Sequence, residues 1–176
     1  MDHPVKIDVG CVSQTRRDNE LPIRKRVHLA SFDYFDYSTV FFITLCAYNK
    51  QAYFMHKGIA KVIINEIDFR TTCSQEVVVF TYCIMPDHLH LLLKLGEKYG
   101  KTLQNWISAF KRYTTRQVGE GFGVRTLWQK NFYEHVVRKD ETLEKIAEYI
   151  VHNPVRKGLV DDWQKYPYSR INFEDF

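Results

Sequence analysis

His88-Leu89-His90-Leu91-Leu92-Leu93-Lys94 is the stretch on which the fold turns. Strand side chains point alternately to the two faces of a sheet. Leu89, Leu91 and Leu93 therefore share one face, and His88, His90 and Leu92 share the other. The leucine face calls for a layer of helices, and the histidine face is left for some other cover. Just upstream, VVVFTYCI (77–84) is β-branched and aromatic and reads as a second strand. Met85-Pro86-Asp87 lies between the two as a tight break, because proline cannot sit inside a central strand. The pair is thus a hairpin.

Working outward, TVFFITLCAY (39–48) is another buried strand. From Met55 to Phe69, Ile59, Val62, Ile63 and Ile67 recur at helical spacing. Leu103, Trp106, Ile107, Phe110 and Thr114 mark a second helix, with Tyr113 continuing the Trp106–Phe110 line as core, and Gly119, Gly121 and Gly123 break it. A fourth strand falls at about 131–138. Asp140 is placed to cap a third helix whose apolar stripe is Leu143, Ile146, Ala147 and Ile150. That helix should end near Asn153, since Pro154 disfavours α geometry in the residue before it. The order β-α-β-β-α-β followed by a helix predicts an α+β chain. It is the ferredoxin-like βαββαβ arrangement, one antiparallel sheet with two helices on one face and the added C-terminal helix available to cover the other. Residues 1–37 show no period and read as an irregular arm, and 38–176 as a single domain.

The whole chain, 176 residues with 45% hydrophobic and 26% charged, has the composition of a globular protein and the length of one domain. No apolar run approaches the ~18 residues of a membrane helix, and the start lacks the apolar core of a signal peptide. Cysteines at 11, 46, 73 and 83 form no CxxC pair, so reduced thiols in a cytoplasmic protein are expected. The net charge of +4 is unevenly placed. Residues 101–139 carry eight basic and two acidic residues, a net of +6, and Arg24-Lys25-Arg26 form a second cluster. Such density suits phosphate binding through counterion release, and it equally describes solvated helix faces.

Two imidazoles at i and i+2 on one strand face can share a divalent metal, which polarises a phosphoryl or carbonyl oxygen. Alone, HxH is a weak motif, and a pair of half-buried strand histidines with backbone partners fits it as well. On the third helix Tyr149 and Asn153 are i and i+4, hence on one face. If that helix lies over the histidines, Tyr149 points at the metal as a nucleophile, and Asn153 can add a third ligand through its amide oxygen. His152 is an alternative third ligand, or it caps the helix end. Tyr149 is equally readable as a core aromatic. Tyr113, with Arg112 and Arg116 beside it, has the same spacing to Gln117, but its helix belongs on the leucine face.

MPDHLHLLLK (85–94), LWQKNFYEHVVR (127–138) and YIVHNPVRKGLV (149–160), with Tyr-Pro-Tyr-Ser at 166–169, resemble the REP-associated tyrosine transposases of the wider HUH single-tyrosine group, relatives of bacterial insertion-sequence enzymes. The resemblance runs from about residue 39 to 169. It implies a ferredoxin-like fold, with His88 and His90 as metal ligands and Mg²⁺ or Mn²⁺ as cofactor. It implies that Tyr149 cleaves single-stranded DNA, keeping a 5′-phosphotyrosine and leaving a free 3′-OH. Asn153 would be the third ligand, where insertion-sequence relatives carry Gln. Residues 1–37 and His152 depart from the family pattern. The implied partner is single-stranded DNA folded as a hairpin or palindromic repeat, with no membrane, and with the chain a monomer or a homodimer.

For that partner, Arg156 and Lys157, close behind Tyr149, are the first candidates for phosphates near the cut. Lys111, Arg112, Arg116, Arg24, Lys25 and Arg26 follow for the backbone, and Tyr48, Trp128 or Phe132 for stacking. Two other readings remain open here. One is a ferredoxin-like module that binds nucleic acid without chemistry, and the other is a phosphoesterase that uses water activated by the metal.

Overall fold

The computed structural model describes residues 38–138 and 142–172. The hairpin is the centre of its sheet. β1 spans Val40–Cys46, β2 Val77–Met85 and β3 His88–Leu95. Pro86 and Asp87 alone join β2 to β3, with Met85 opposite His88. β1 runs antiparallel along the other side of β3, placing Cys46 opposite His88 and Thr44 opposite His90. β4 (Tyr133–Val136) pairs with β1, and β5 (Ser169–Ile171) with β2. The sheet order is β4-β1-β3-β2-β5, antiparallel throughout.

The two faces divide as the alternation of 88–93 requires. Leu89, Leu91 and Leu93 pack under α1 (Lys57–Asp68) and α2 (Leu103–Phe122), against Ile59, Ile63, Trp106 and Phe110. Thr102 caps α2 by accepting the Asn105 N–H, worth about 1 kcal/mol. On the opposite face, α3 (Leu143–Val151) sets Ile146, Ala147 and Ile150 on Phe42, Phe80, Cys83, Met85 and Leu92. A helix of nine residues is marginal alone in water. Burial of this stripe is what holds α3 across the histidine face. His152 links it to a last turn, α4 (Asn153–Arg156).

Four details differ from the sequence expectation. Phe80 is a bulge: Val79 pairs with Leu93, but Thr81 pairs with Leu92. Before it Val77 and Val79 face α1 and α2, and after it Tyr82 and Ile84 do, so Cys83 and Met85 turn toward α3. Asn172 stabilises the bulge, its N–H donating to Phe80 O (2.7 Å) and its Nδ2 to Val79 O (3.0 Å). Second, β5 had no period to announce it. Third, α2 runs through Gly119 and Gly121 and ends at Gly123, whose φ of 71° is the left-handed geometry that glycine adopts without strain. Helical glycine costs only about 1 kcal/mol, which the packing of buried Val118 can offset. Fourth, Tyr113 is exposed. The buried line steps Trp106, Phe110, Thr114, Val118 by four, and Tyr113 falls off its edge. Asp140 and the 1–37 arm lie outside the described residues. Thr142 stands at the N-cap of α3 without a side-chain capping bond.

Candidate active site

The turn of the hairpin places His88 at the first position of β3, and the pleat returns His90 to the same side. Their Nε2 atoms are 3.1 Å apart, and the rings meet edge to face at 4.6 Å between centroids. The other nitrogen of each ring is held by a different strand or turn. His88 Nδ1 donates to Asp87 Oδ1 at 2.6 Å, and His90 Nδ1 is 2.8 Å from Thr44 Oγ1. The bond from His88 holds the Asp87 carboxyl below the usual carboxylate range. Burial, then the neighbouring His88 and the Arg156 cation, push His90 down to about 3. His90 is therefore neutral at pH 7, the form that ligates metals. Two nitrogens at this separation suit adjacent positions on one ion with metal–nitrogen bonds of about 2.1 Å. Among the described residues no cluster of three or more His, Cys, Asp and Glu joins here. A third ligand has to come from another kind of group.

Asn153, the residue the sequence offers for that role, stands directly after the helix that covers the histidine face. It is buried at the start of α4, and its Nδ2 donates to Tyr149 O (3.2 Å) and Ile150 O (3.0 Å). Its amide nitrogen is thus committed to α3. An amide oxygen together with imidazoles is a donor set that Mg²⁺ or Mn²⁺ can use. His152 takes the other role open to it. Its Nδ1 is 2.8 Å from Glu148 O, so it caps α3, with its ring near Trp163.

Tyr149 is 38% exposed, on the last turn of α3. Its ring meets Phe42 edge-on at 6.5 Å, and Phe42 meets His90 at 5.5 Å. Buried Phe42 is thus the common neighbour of the tyrosine and the histidine. The Arg156 guanidinium lies 4.1 Å from the Tyr149 ring centroid, and its Nη2 donates to Tyr149 O at 2.6 Å.

The remaining candidates are dispersed. Lys157 is exposed just beyond α4, next to Arg156. Arg112 and Arg116 are exposed on α2, on the leucine side of the sheet, with Arg116 lying over the Tyr113 ring. Lys111 is occupied: its Nζ donates to the carbonyls of Gln129 (2.8 Å), Lys130 (3.4 Å) and Asn131 (3.2 Å), and burial pushes it down to about 8. It braces the loop into β4 rather than facing solvent. Arg24, Lys25 and Arg26 lie outside the described residues. Of the stacking candidates Tyr48 is exposed. Trp128 is core: it packs on Phe54 and Phe110, and its Nε1 donates to Thr114 Oγ1 at 2.8 Å. Phe132 packs against the same core under the Lys111 ammonium.

Three site residues escaped the sequence reading. Asp87 was visible as the neighbour of His88, but only as part of a turn. Thr44 and Phe42 become neighbours of His90 through the β1–β3 register, which no local pattern encodes.

Comparison with known proteins gives the family. A Haemophilus influenzae protein provisionally named a REP-associated tyrosine transposase is 34% identical over 117 residues, covering 59% of this chain and 65% of that one. The Escherichia coli K12 REP-associated tyrosine transposase is 27% identical over 91 residues, 52% of each chain. This chain therefore spans about two thirds of the first relative's length and about half of the second's. A solved REP-associated tyrosine transposase bound to a REP hairpin superposes with a TM-score of 0.58 at 21% identity, covering 78% of this chain and 79% of that one, a likeness of fold. The family model described as "Transposase IS200 like" matches residues 37–153, a stretch that encloses His88, His90 and Tyr149 and closes on Asn153. By that match the chain belongs to the IS200-like transposase family.

Proposed function

We propose that this chain is a metal-dependent transposase that cleaves and rejoins single-stranded DNA at hairpin or palindromic repeats, with Tyr149 as nucleophile. The observation that carries the reading is Phe42, which touches the ring of His90 on one side and that of Tyr149 on the other. It sets a tyrosine on the covering helix beside an imidazole pair on the sheet. The hairpin bound to the solved relative supports a folded DNA substrate.

His88, His90 and Asn153 would hold a divalent ion, whose contribution is Lewis-acid withdrawal of charge from a phosphate oxygen. The Tyr149 oxygen attacks the phosphorus of one phosphodiester, and the phenolic proton passes to solvent. The P–O3′ bond breaks, and the departing 3′-oxygen takes up a proton. The products are a 5′-phosphotyrosine and a free 3′-OH. Rejoining is the reverse: a 3′-OH attacks the phosphotyrosine and the phenol leaves, so no phosphodiester is lost to hydrolysis. Lys157, exposed behind the nucleophile, supplies positive charge for the phosphates flanking the cut.

A denaturing gel of the protein with labelled single-stranded DNA hairpins carrying palindromic repeats, in Mg²⁺ or Mn²⁺, tests the reading. The wild-type chain should give a protein–DNA adduct. Tyr149→Phe should abolish it while DNA binding survives, and Tyr113→Phe should leave it in place. An adduct that survives Tyr149→Phe, or cleaved product with no adduct, overturns the assignment.

A further inference from the structure

A tyrosine that is 38% exposed at the end of a helix is only partly enclosed by its neighbours. Phe42 supplies one wall. The other is Arg156, and two separate contacts converge from it on the same residue: the guanidinium faces the ring at 4.1 Å and Nη2 donates to the Tyr149 carbonyl at 2.6 Å. The carbonyl bond alone would be an ordinary cap for the end of α3, satisfying one of its orphan acceptors. Stacking on the ring is not required for capping. The local chain enforces it. His152 keeps helical geometry (φ −80°, ψ −1°), Pro154 is buried, and Asn153 bonds back to α3, so α4 turns its fourth residue over Tyr149.

We propose that Arg156 is the positioning residue for the nucleophile, holding the Tyr149 ring through its stacked guanidinium while Phe42 meets the same ring edge-on. This rests on the reading of Tyr149 as nucleophile. A planar guanidinium can hold ring and carbonyl together, which a lysine ammonium cannot do in the same way. Holding the phenol in one rotamer removes a search that would otherwise precede attack.

Two measurements decide it. In the wild-type full chain, the Arg156 side-chain protons should be shifted upfield in NMR spectra by the ring current of Tyr149, and Tyr149→Leu should abolish that shift. In single-turnover adduct formation on a labelled DNA hairpin, Arg156→Gln keeps a polar side chain but loses the stacked cation. Its rate at saturating DNA should fall about tenfold or more, while hairpin Kd stays within about threefold. Arg156→Lys should fall between the two. Absence of the upfield shift overturns the clamp. A normal saturating rate in Arg156→Gln, or a defect confined to Kd, overturns the positioning role and leaves a cap or a phosphate contact. No adduct from the wild-type chain would instead bring down the transposase reading and the catalytic purpose of the clamp with it, and the ring shift would still report whether Arg156 holds Tyr149.

Discussion

His88 Nε2 and His90 Nε2 face each other at 3.1 Å, and each ring is held from behind by a partner of a different kind. Asp87 accepts from His88 Nδ1, so the lone pair of His88 sits on Nε2. Without an ion between them, His90 Nε2 must carry the proton shared by the pair, and its Nδ1 accepts from the Thr44 hydroxyl. With an ion between them, His90 must present a lone pair at Nε2 and its Nδ1–H must donate to Thr44 Oγ1. A hydroxyl can serve in both states because it donates and accepts.

Thr44→Val should therefore weaken Mn²⁺ binding, since the methyl group cannot accept from His90 Nδ1. Asp87→Asn should do the same by weakening the orientation of His88. Loss of such supporting partners typically costs 10–100-fold in metal affinity, measurable by calorimetric titration. Thr44→Ser should bind as the wild type does. Unchanged Mn²⁺ affinity in both Thr44→Val and Asp87→Asn would show that these bonds are incidental to ligation.

Phe42 separates packing from positioning. It is buried under α3 and also touches Tyr149 and His90. Phe42→Ala should destabilise the fold by about 3–5 kcal/mol, the usual cost of deleting a buried aromatic. Phe42→Leu keeps most of the apolar volume and should cost under about 2 kcal/mol in chemical denaturation. It still removes the aromatic wall, so adduct formation should slow more than stability falls. If Phe42→Leu cleaves at the normal rate, Phe42 is a core residue alone.

Burial also sets the response to acid. His90 titrates near 6.5 when unfolded and at about 3 when folded. Between these values the unfolded chain holds a proton that the folded chain lacks. The contribution of His90 is thus fully present above about pH 6.5 and is lost as pH falls toward 3, with a slope of at most about 1.4 kcal/mol per pH unit. Denaturant unfolding of wild type and His90→Gln in chelator, at pH 7, 5.5 and 4.5, should show the wild type losing stability faster. Parallel losses would mean that folded His90 takes up its proton without penalty.

How much of this the sequence discloses depends on how local each signal is. The two faces of β3 are legible in six residues, because leucines and histidines alternate with period two. The stripe of α3 is legible at 3.6, and with it the helix that carries Tyr149, whereas Asn153, expected on the same helix, falls in α4. The Phe80 bulge is not, because VVVFTYCI is apolar at every position and marks no face. Trp128 as core and Lys111 as a loop brace depend on the meeting of α2 with a distant segment. Thr44 behind His90 depends on strand register, and Arg156 over Tyr149 on the passage of α3 into α4 through His152. Each is a contact between elements, which propensity and spacing do not record.

Lys111 turns that last point into a test of the DNA surface. Its three ammonium hydrogens go to the carbonyls of Gln129, Lys130 and Asn131, so none is left for a phosphate. Lys111→Met would leave those carbonyls without their donor, at a cost of about 1–3 kcal/mol, less the relief of no longer burying a charge. Thermal unfolding should register the loss. The salt dependence of hairpin binding should not change, because the slope counts neutralised phosphates. Lys157→Met should lower that slope by about 0.7 for one contact to a single strand, with little effect on stability. If Lys111→Met lowers the slope instead, its ammonium leaves the loop carbonyls when DNA binds, and the basic surface extends around to α2.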